Sequence, residues 1–250
     1  MISKAQIKSI NALKQKKKRD EQGLFIAEGV KVVNEILNSG IRVRQIISSR
    51  NFQLNIFNYE IEVLRIRESE LKKISSLSTP NEVLAVCEIP KYELRMEQLK
   101  GKLSLVLDTI QDPGNLGTIV RIADWFGIEH IICSEDTVDV YNPKVIQATM
   151  GSIARVKVHY SDLGIVLSKA KETIPGIKIY GAALDGKNIY ENGSLGDGLL
   201  IMGNESKGIS EPVLQHVTDR ILIPNYGGGA ESLNVAIATA VIAAEFKRRA

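Results

Sequence analysis

The spacing of apolar positions changes character near residue 100 and divides the chain into two predicted units. In the first, Val30, Val33, Ile36 and Leu37 recur at helical spacing, so Glu28 to Leu37 is predicted as a helix stopped by Asn38-Ser39-Gly40. Val43 to Ile47 and Val83 to Val86 read as strands, and Leu71 to Leu77 as a short helix. A charged stretch opened by Pro90 then makes a linker over 91–100. The domain reading is therefore a basic arm and small α/β domain over 1–90, the linker, and a second domain over 101–250.

From 101 onward, short aliphatic runs alternate with helical stretches. Strands are predicted at Leu103–Leu107, His130–Cys133, Val156–His159, Lys178–Ala182, Leu199–Met202 and Ile221–Ile223. Helices are predicted at Leu116–Phe126, Pro143–Met150, Leu163–Thr173, Glu211–Val217 and Ser232–Arg248. This alternation predicts an α/β domain, a parallel sheet with helices on both faces. Ligands in such sheets bind beyond the carboxyl ends of the strands, so chemistry is sought just after each strand.

Composition narrows the picture. Of 250 residues, 44% are hydrophobic and 24% charged, as in a globular protein. The longest nearly apolar run, Leu233 to Ala244, falls short of the ~18 residues of a membrane span. No apolar core follows the basic N-terminus, so no signal peptide is read, and a cytoplasmic location without membrane attachment is expected. Cys87 and Cys133 form no CxxC pair and the three histidines are scattered, so neither a disulfide framework nor a metal site is expected. Asn192-Gly193-Ser194 matches a glycosylation acceptor only formally. The net charge of +3 hides an asymmetry: residues 1–19 hold seven cations and no acid, and setting those seven aside leaves a net charge of −4. Clustered cations favour polyanions through counterion release, although a solvated basic helix end has the same composition.

Several segments invite a chemical reading. Gly181 to Lys187 fits GxxxxGK, but Asn188 stands where a P-loop needs Ser or Thr, and no helix start follows. A GxGxxG fingerprint is absent. Three other segments each follow a strand. Asp108 to Arg121 contains the turn Asp112-Pro113-Gly114-Asn115, with Asn115 as expected N-cap and Gly117 and Arg121 on one face of the helix. Glycine so early in a helix suggests that a ligand or another backbone comes close; the alternative for Arg121 is an exposed pair with Asp124. Gly203 to Ser210 is a glycine-flanked loop with Asn204 and Glu205, followed by a helix capped by Ser210. Pro224 to Val235 carries three consecutive glycines and then Ser232, Leu233 and Asn234 at a helix start. That last helix is so apolar that burial, even against a second subunit, is expected.

Together these segments resemble, in order, the signature motifs of the SpoU-type (TrmH-like) RNA ribose 2′-O-methyltransferases of the SPOUT superfamily. The first is matched by Asn115, Gly117, Arg121, Ala123 and Phe126-Gly127, and the second by Gly203-Asn204-Glu205 and Gly208. The third is matched by Ile223-Pro224, Glu231-Ser232-Leu233-Asn234-Val235 and Ala238, with a glycine loop one residue longer than the pattern. The likeness covers 101–250; residues 1–90 resemble the RNA-binding substrate domain often fused in front. The resemblance implies a C-terminal trefoil knot, a homodimer, and S-adenosylmethionine as cofactor without a metal. It implies Arg121, Asn115, Glu205, Ser232 and Asn234 as catalytic residues. Gly203, Ile223 and Leu233 would bind the cofactor, and Ala182–Leu184 would border it. The implied substrate is RNA, with ribosomal RNA favoured over transfer RNA. The rival from another class is a non-catalytic RNA-binding or assembly protein that keeps the fold.

Overall fold

The structure, a computed structural model, describes residues 2–49, 61–191, 195–229 and 231–249. The glycosylation-like triplet at Asn192 lies outside them. The chain forms two compact units: residues 1–91 with 139–155, and residues 92–138 with 156–250.

The first unit is built on a four-stranded sheet. Its strands are β1 (Leu24–Glu28), β2 (Val43–Ser49), β3 (Glu62–Ile66) and β4 (Val83–Glu88), in the order β1-β4-β2-β3. β4 runs antiparallel to β1 and β2, and β3 parallel to β2. Side chains alternate across a strand, so the sheet buries two faces. On one, Ile26, Ile47, Ile66, Leu84 and Val86 pack with Ile10 and Leu13 of the N-terminal segment, with Leu71 of the short helix α4 (Glu68–Leu71) and with Ile74. On the other, Phe25 meets Tyr141 at 4.9 Å between ring centres. Helix α3 (Val30–Leu37) buries Val32, Val33 and Ile36 in this unit. Helix α6 (Pro143–Thr149), from the later stretch of chain, packs on β1.

The expected basic arm is instead two ordered helices, α1 (Lys4–Ala12) and α2 (Lys16–Gln22). Ser3 and Gln6 close a capping box at the start of α1. Of the seven cations, Arg19 is buried, Lys14 donates to the Ser75 carbonyl at 2.8 Å, and Lys16 and Lys18 pair with Asp20 and Glu21 on their own helix. Lys4, Lys8 and Lys17 remain exposed, with no partner among the described residues. The Arg19 guanidinium donates to Asp139 from Nε and Nη2, at 2.9 and 2.5 Å, and to the Leu13 carbonyl from Nη1, at 2.9 Å.

The second unit is a six-stranded parallel sheet flanked by helices, as the alternation predicts. Its strands are β5 (Leu103–Leu107), β6 (His130–Cys133), β7 (Lys157–Tyr160), β8 (Ile179–Asn188), β9 (Gly198–Met202) and β10 (Asp219–Leu222). They lie in the order β10-β8-β9-β5-β6-β7. Helices α7 (Leu163–Thr173) and α8 (Glu211–Leu214) cover one face, packing Leu163, Leu167 and Val213 with Val106, Ile132 and Ile201. Helices α5 (Pro113–Trp125) and α9 (Val235–Arg249) pack against each other, and Phe246 of α9 meets Tyr180 of β8 edge-on at 4.9 Å. Glu245 of α9 is ion-paired with Arg248 and Arg249, whose hydrogen bonds hold its carboxyl near a pKa of about 2. No helix among the described residues is long and apolar enough to cross a membrane.

β6 and β7 also bury a histidine pair. His130 Nδ1 and His159 Nε2 lie 3.1 Å apart with stacked rings. One ring donates and the other accepts, so the two cannot both be protonated. Burial, then the charges of His130 and Lys157, lower the His159 pKa to about 4. Burial, Lys157 and Lys102 lower that of His130, against Glu129. An unfolded histidine titrates near 6.5. The unfolded chain therefore gains protons first, and stability falls as pH drops from about 6.5 toward 4, by up to ~1.4 kcal/mol per pH unit for each such group. Denaturant titrations across that range should show this slope, and His159→Gln should flatten it.

Candidate active site

β5, β9 and β10 run parallel, so the loops leaving them open at one edge of the sheet. From β5 the chain steps outward to β6 and β7, whereas β9 lies on the other side of β5 with β8 and β10 beyond. The order thus reverses between β5 and β9, and a crevice at such a reversal is where open α/β sheets take ligands.

At the β5 edge, Asp112 rather than Asn115 caps α5. Its Oδ1 accepts the Asn115 N–H at 2.8 Å, and Pro113, with φ already helical, takes the first turn. Asn115 is therefore inside the helix, and its side chain is free for other partners. Its Nδ2 donates to Glu205 Oε1 at 2.7 Å, and its Oδ1 accepts from Asn234 Nδ2 at 2.9 Å. This orientation is dictated from both ends. A carboxylate only accepts, so Asn115 must turn its NH2 to Glu205. Asn234 Oδ1 is committed to the N–H groups of Ala236 and Ile237, at 3.0 and 3.3 Å, which leaves its NH2 for Asn115. Asn234 thereby caps α9, which begins at Val235 rather than at Ser232.

The loop after β9 closes on itself. Asn204 and Gly208 exchange two backbone hydrogen bonds, both 2.9 Å. A Cβ on Gly203 would lie 2.3 Å from the backbone of Gly208 and Ile209, so only glycine fits there. Glu205 projects from this loop, exposed, and no described donor reaches its Oε2. Beyond β10, Asn225 Oδ1 accepts from the N–H groups of Gly227 and Gly228, at 2.9 and 3.0 Å, and Gly228 takes the left-handed φ of 67° that suits glycine.

Of the expected site residues, Asn115, Glu205 and Asn234 are joined directly. Arg121 is exposed six residues further along α5, about 9 Å along its axis. It has no ion-pair or hydrogen-bond partner among the described residues, Asp124 included. It shares an exposed face with Gly114, Thr118 and Trp125. Ser232 is exposed and has no described partner either. Gly203, Ile223 and Leu233 stand in the loop after β9, just past β10, and just before α9. The GxxxxGK stretch is part of β8 and opens no helix. Gly181 pairs with Arg220 and Lys187 with Ile221, so Ala182–Gly186 is a five-residue excursion from the ladder, with Leu184 exposed at 73%.

The family model described as SpoU rRNA Methylase matches residues 102–244, which hold this whole arrangement. The chain belongs to that family. A second model, the MRM3-like substrate binding domain, matches residues 4–85. A curated relative, the 23S rRNA guanosine 2′-O-methyltransferase RlmP of Bacillus subtilis, is 30% identical over 94% of this chain and 93% of its own. Among solved structures, a TrmH-family protein of Porphyromonas gingivalis is similar with a TM-score of 0.91 and 38% identity, covering all of both chains. The SpoU methyltransferase AviRb of Streptomyces viridochromogenes, solved with AdoMet, is similar with a TM-score of 0.87 and 25% identity, over 99% of this chain and 98% of that one. Its neighbours place the larger unit of this SpoU family member among the SPOUT methyltransferases.

Proposed function

We propose that the protein transfers a methyl group from S-adenosylmethionine to a ribose 2′-hydroxyl of ribosomal RNA. The observation that carries this reading is the hydrogen-bonded line Asn234–Asn115–Glu205, which ties together the loops beyond β10, β5 and β9, with Arg121, unpaired among the described residues, six residues further along α5. The residues at these ends suit the cofactor: Ile223 and Leu233 offer apolar surface to an adenine, and the glycine-closed loop at Gly203 offers backbone groups. When bound, S-adenosylmethionine supplies an electrophilic methyl group.

The chain's own residues then have to orient the hydroxyl, take its proton and stabilise the oxygen. Arginine stays protonated, so Arg121 serves as a cation for phosphate and for the developing alkoxide. Glu205 is the carboxylate of the line; with Oε1 held by Asn115, its Oε2 is open to accept the hydroxyl proton. Asn115, Asn234 and Ser232 orient the ribose. Alignment of this kind supplies of order 7–11 kcal/mol in favourable cases.

The reading extends to a trefoil knot in the second unit, a homodimer and a cytoplasmic location. Exposed apolar side chains at Trp125, Leu233 and Ile237, on or next to α5 and α9, support the dimer. The first unit would hold the RNA. Lys4 and Lys8 lie one turn apart on α1, whose Asn11 is tied to the Lys73 carbonyl at 2.9 Å, so both stand on the side toward the exposed Lys72 and Lys73. Replacing Lys4 and Lys8 with glutamine should weaken RNA binding and flatten its salt dependence by about one to two phosphate contacts' worth of slope. An unchanged slope would remove this surface from the reading.

The experiment that tests the function is methyl transfer from labelled S-adenosylmethionine to total RNA of a strain lacking this gene. Label in one 2′-O-methylated nucleoside of ribosomal RNA supports the proposal. Label in transfer RNA corrects the substrate, and label on a base overturns the ribose chemistry.

A further inference from the structure

Just beyond β5, Thr109 has a φ of 60°, where a β-branched side chain crowds its own backbone. Among the described residues, Met150 is the one other non-glycine at positive φ. Such a conformation persists only where its surroundings over-determine it, and here they do. The Thr109 N–H donates to Ser134 Oγ at 2.8 Å, its hydroxyl to Asp108 Oδ1 at 3.1 Å, and its carbonyl accepts from Asn204 Nδ2 at 2.8 Å. Asp108, 4% exposed, uses its other oxygen to accept the Ser210 N–H at 2.7 Å. Asn204 Oδ1 in turn accepts the N–H groups of Ser206 and Lys207, at 3.0 and 3.1 Å.

Two consecutive residues therefore hold the 203–210 loop at both its ends, and Glu205 stands between those ends. Returning φ of Thr109 to the ordinary negative range would rotate its N–H against its carbonyl, so the bonds to Ser134 and Asn204 could not both survive. We propose that Thr109, with Asp108, is a positioning residue: its strained turn aims Asn204 and thereby sets the stance of Glu205 against Asn115. This rests on reading the 203–210 loop as part of the transfer site. The strain is stored where the loop has to be held, two residues beyond β5, the strand that neighbours the loop's own strand β9.

The test compares Thr109→Pro, which forbids positive φ, with Thr109→Gly, which adopts it freely and keeps both backbone groups. Misplacement of about 1 Å can cost about 100-fold in rate. Thr109→Pro is thus expected to lower kcat by about that factor with KM for RNA within threefold, and Thr109→Gly to rescue it. Asn204→Ala removes only the side chain that reads the turn. It should lower kcat similarly and add little on top of Thr109→Pro, and it keeps the test open where proline impairs folding. Wild-type kcat in Asn204→Ala, or glycine as slow as proline, overturns the proposal. Amide hydrogen exchange at Ser206, Lys207 and Ser210 reads the same device without turnover. Exchange should quicken in Thr109→Pro and Asn204→Ala, with Thr109→Gly as in the wild type. If the wild type transfers no methyl, this pattern sustains the positioning while the functional reading alone falls; unchanged exchange overturns the positioning.

Discussion

Arg121→Ala should lower methyl transfer by about two to three orders of magnitude, the loss typical of removing one charge-stabilising donor, while S-adenosylmethionine affinity stays within a few-fold. The reason is the placement of Arg121. It is exposed on α5, six residues beyond Asn115, takes no part in the hydrogen bonds of the Asn234–Asn115–Glu205 line, and has no partner among the described residues. Its charge is thus uncommitted in the free protein and available to phosphate and to an oxygen losing its proton. Arg121→Lys should recover little, because lysine lacks the planar fork of donors. Single-turnover rates together with calorimetric binding of the cofactor separate the two effects. A collapse of cofactor binding in Arg121→Ala would give this arginine a different role.

The largest effect on stability is expected at Arg19. Its side chain is 2% exposed and that of its partner Asp139 is 12% exposed, and Arg19 also satisfies the Leu13 carbonyl between α1 and α2. Removing one member of such a pair leaves a buried charge uncompensated. Arg19→Ala should cost about 3–5 kcal/mol in denaturant unfolding. The pair itself is worth much less than that loss suggests, since replacing both partners with apolar residues is often close to neutral. The double substitution Arg19→Met with Asp139→Leu should accordingly recover most of the stability. A double variant as unstable as Arg19→Ala would show that the hydrogen bond to Leu13 and the shape of the site dominate instead.

These two arginines show what a sequence carries and what it hides. For Arg121 the spacing alone is even-handed: Gly117 and Arg121 lie four apart just after a strand, an exposed arginine beside Asp124 fits as well, and it is the family motif that singles Arg121 out. Arg19 was hidden, because its partner lies 120 residues away and its neighbours Lys16, Lys17 and Lys18 make it look like part of a solvated arm. The inner strands of the second unit were legible because β5, β6 and β9 are short, fully buried and largely aliphatic runs between turn residues. Strand β1 goes unread because Leu24 to Ala27 is brief, and its last residue, Glu28, is assigned to the following helix, which starts only at Val30, after Gly29. The repeat of Ile7 and Ile10 in α1 and Leu13 at its C-cap is masked by the lysines between them. At the site, Asn115 looked like a cap because asparagine favours that position, but Asp112 with Pro113 after it competes better. No residue pattern announces a threonine at positive φ, so the hold of Asp108 and Thr109 on the 203–210 loop could be read only from coordinates.

The segment 139–155 gives the protein an unusual kind of modularity. It is encoded between two neighbouring strands of one unit, yet Tyr141, Asp139 and α6 complete the core of the other, where Arg155 also reaches Glu35 at 2.5 Å. Gly151 is part of the same fit, because a Cβ there would come within 2.6 Å of the Glu35 side chain. A gene fragment ending at residue 91 would therefore encode a unit with Arg19 stranded and Phe25 uncovered. Recombination that exchanged the N-terminal unit at a single junction would separate partners that have to be inherited together. The two units are thus bound as one heritable block, and a change to Arg19 or Glu35 is answerable at Asp139 or Arg155, more than a hundred codons downstream.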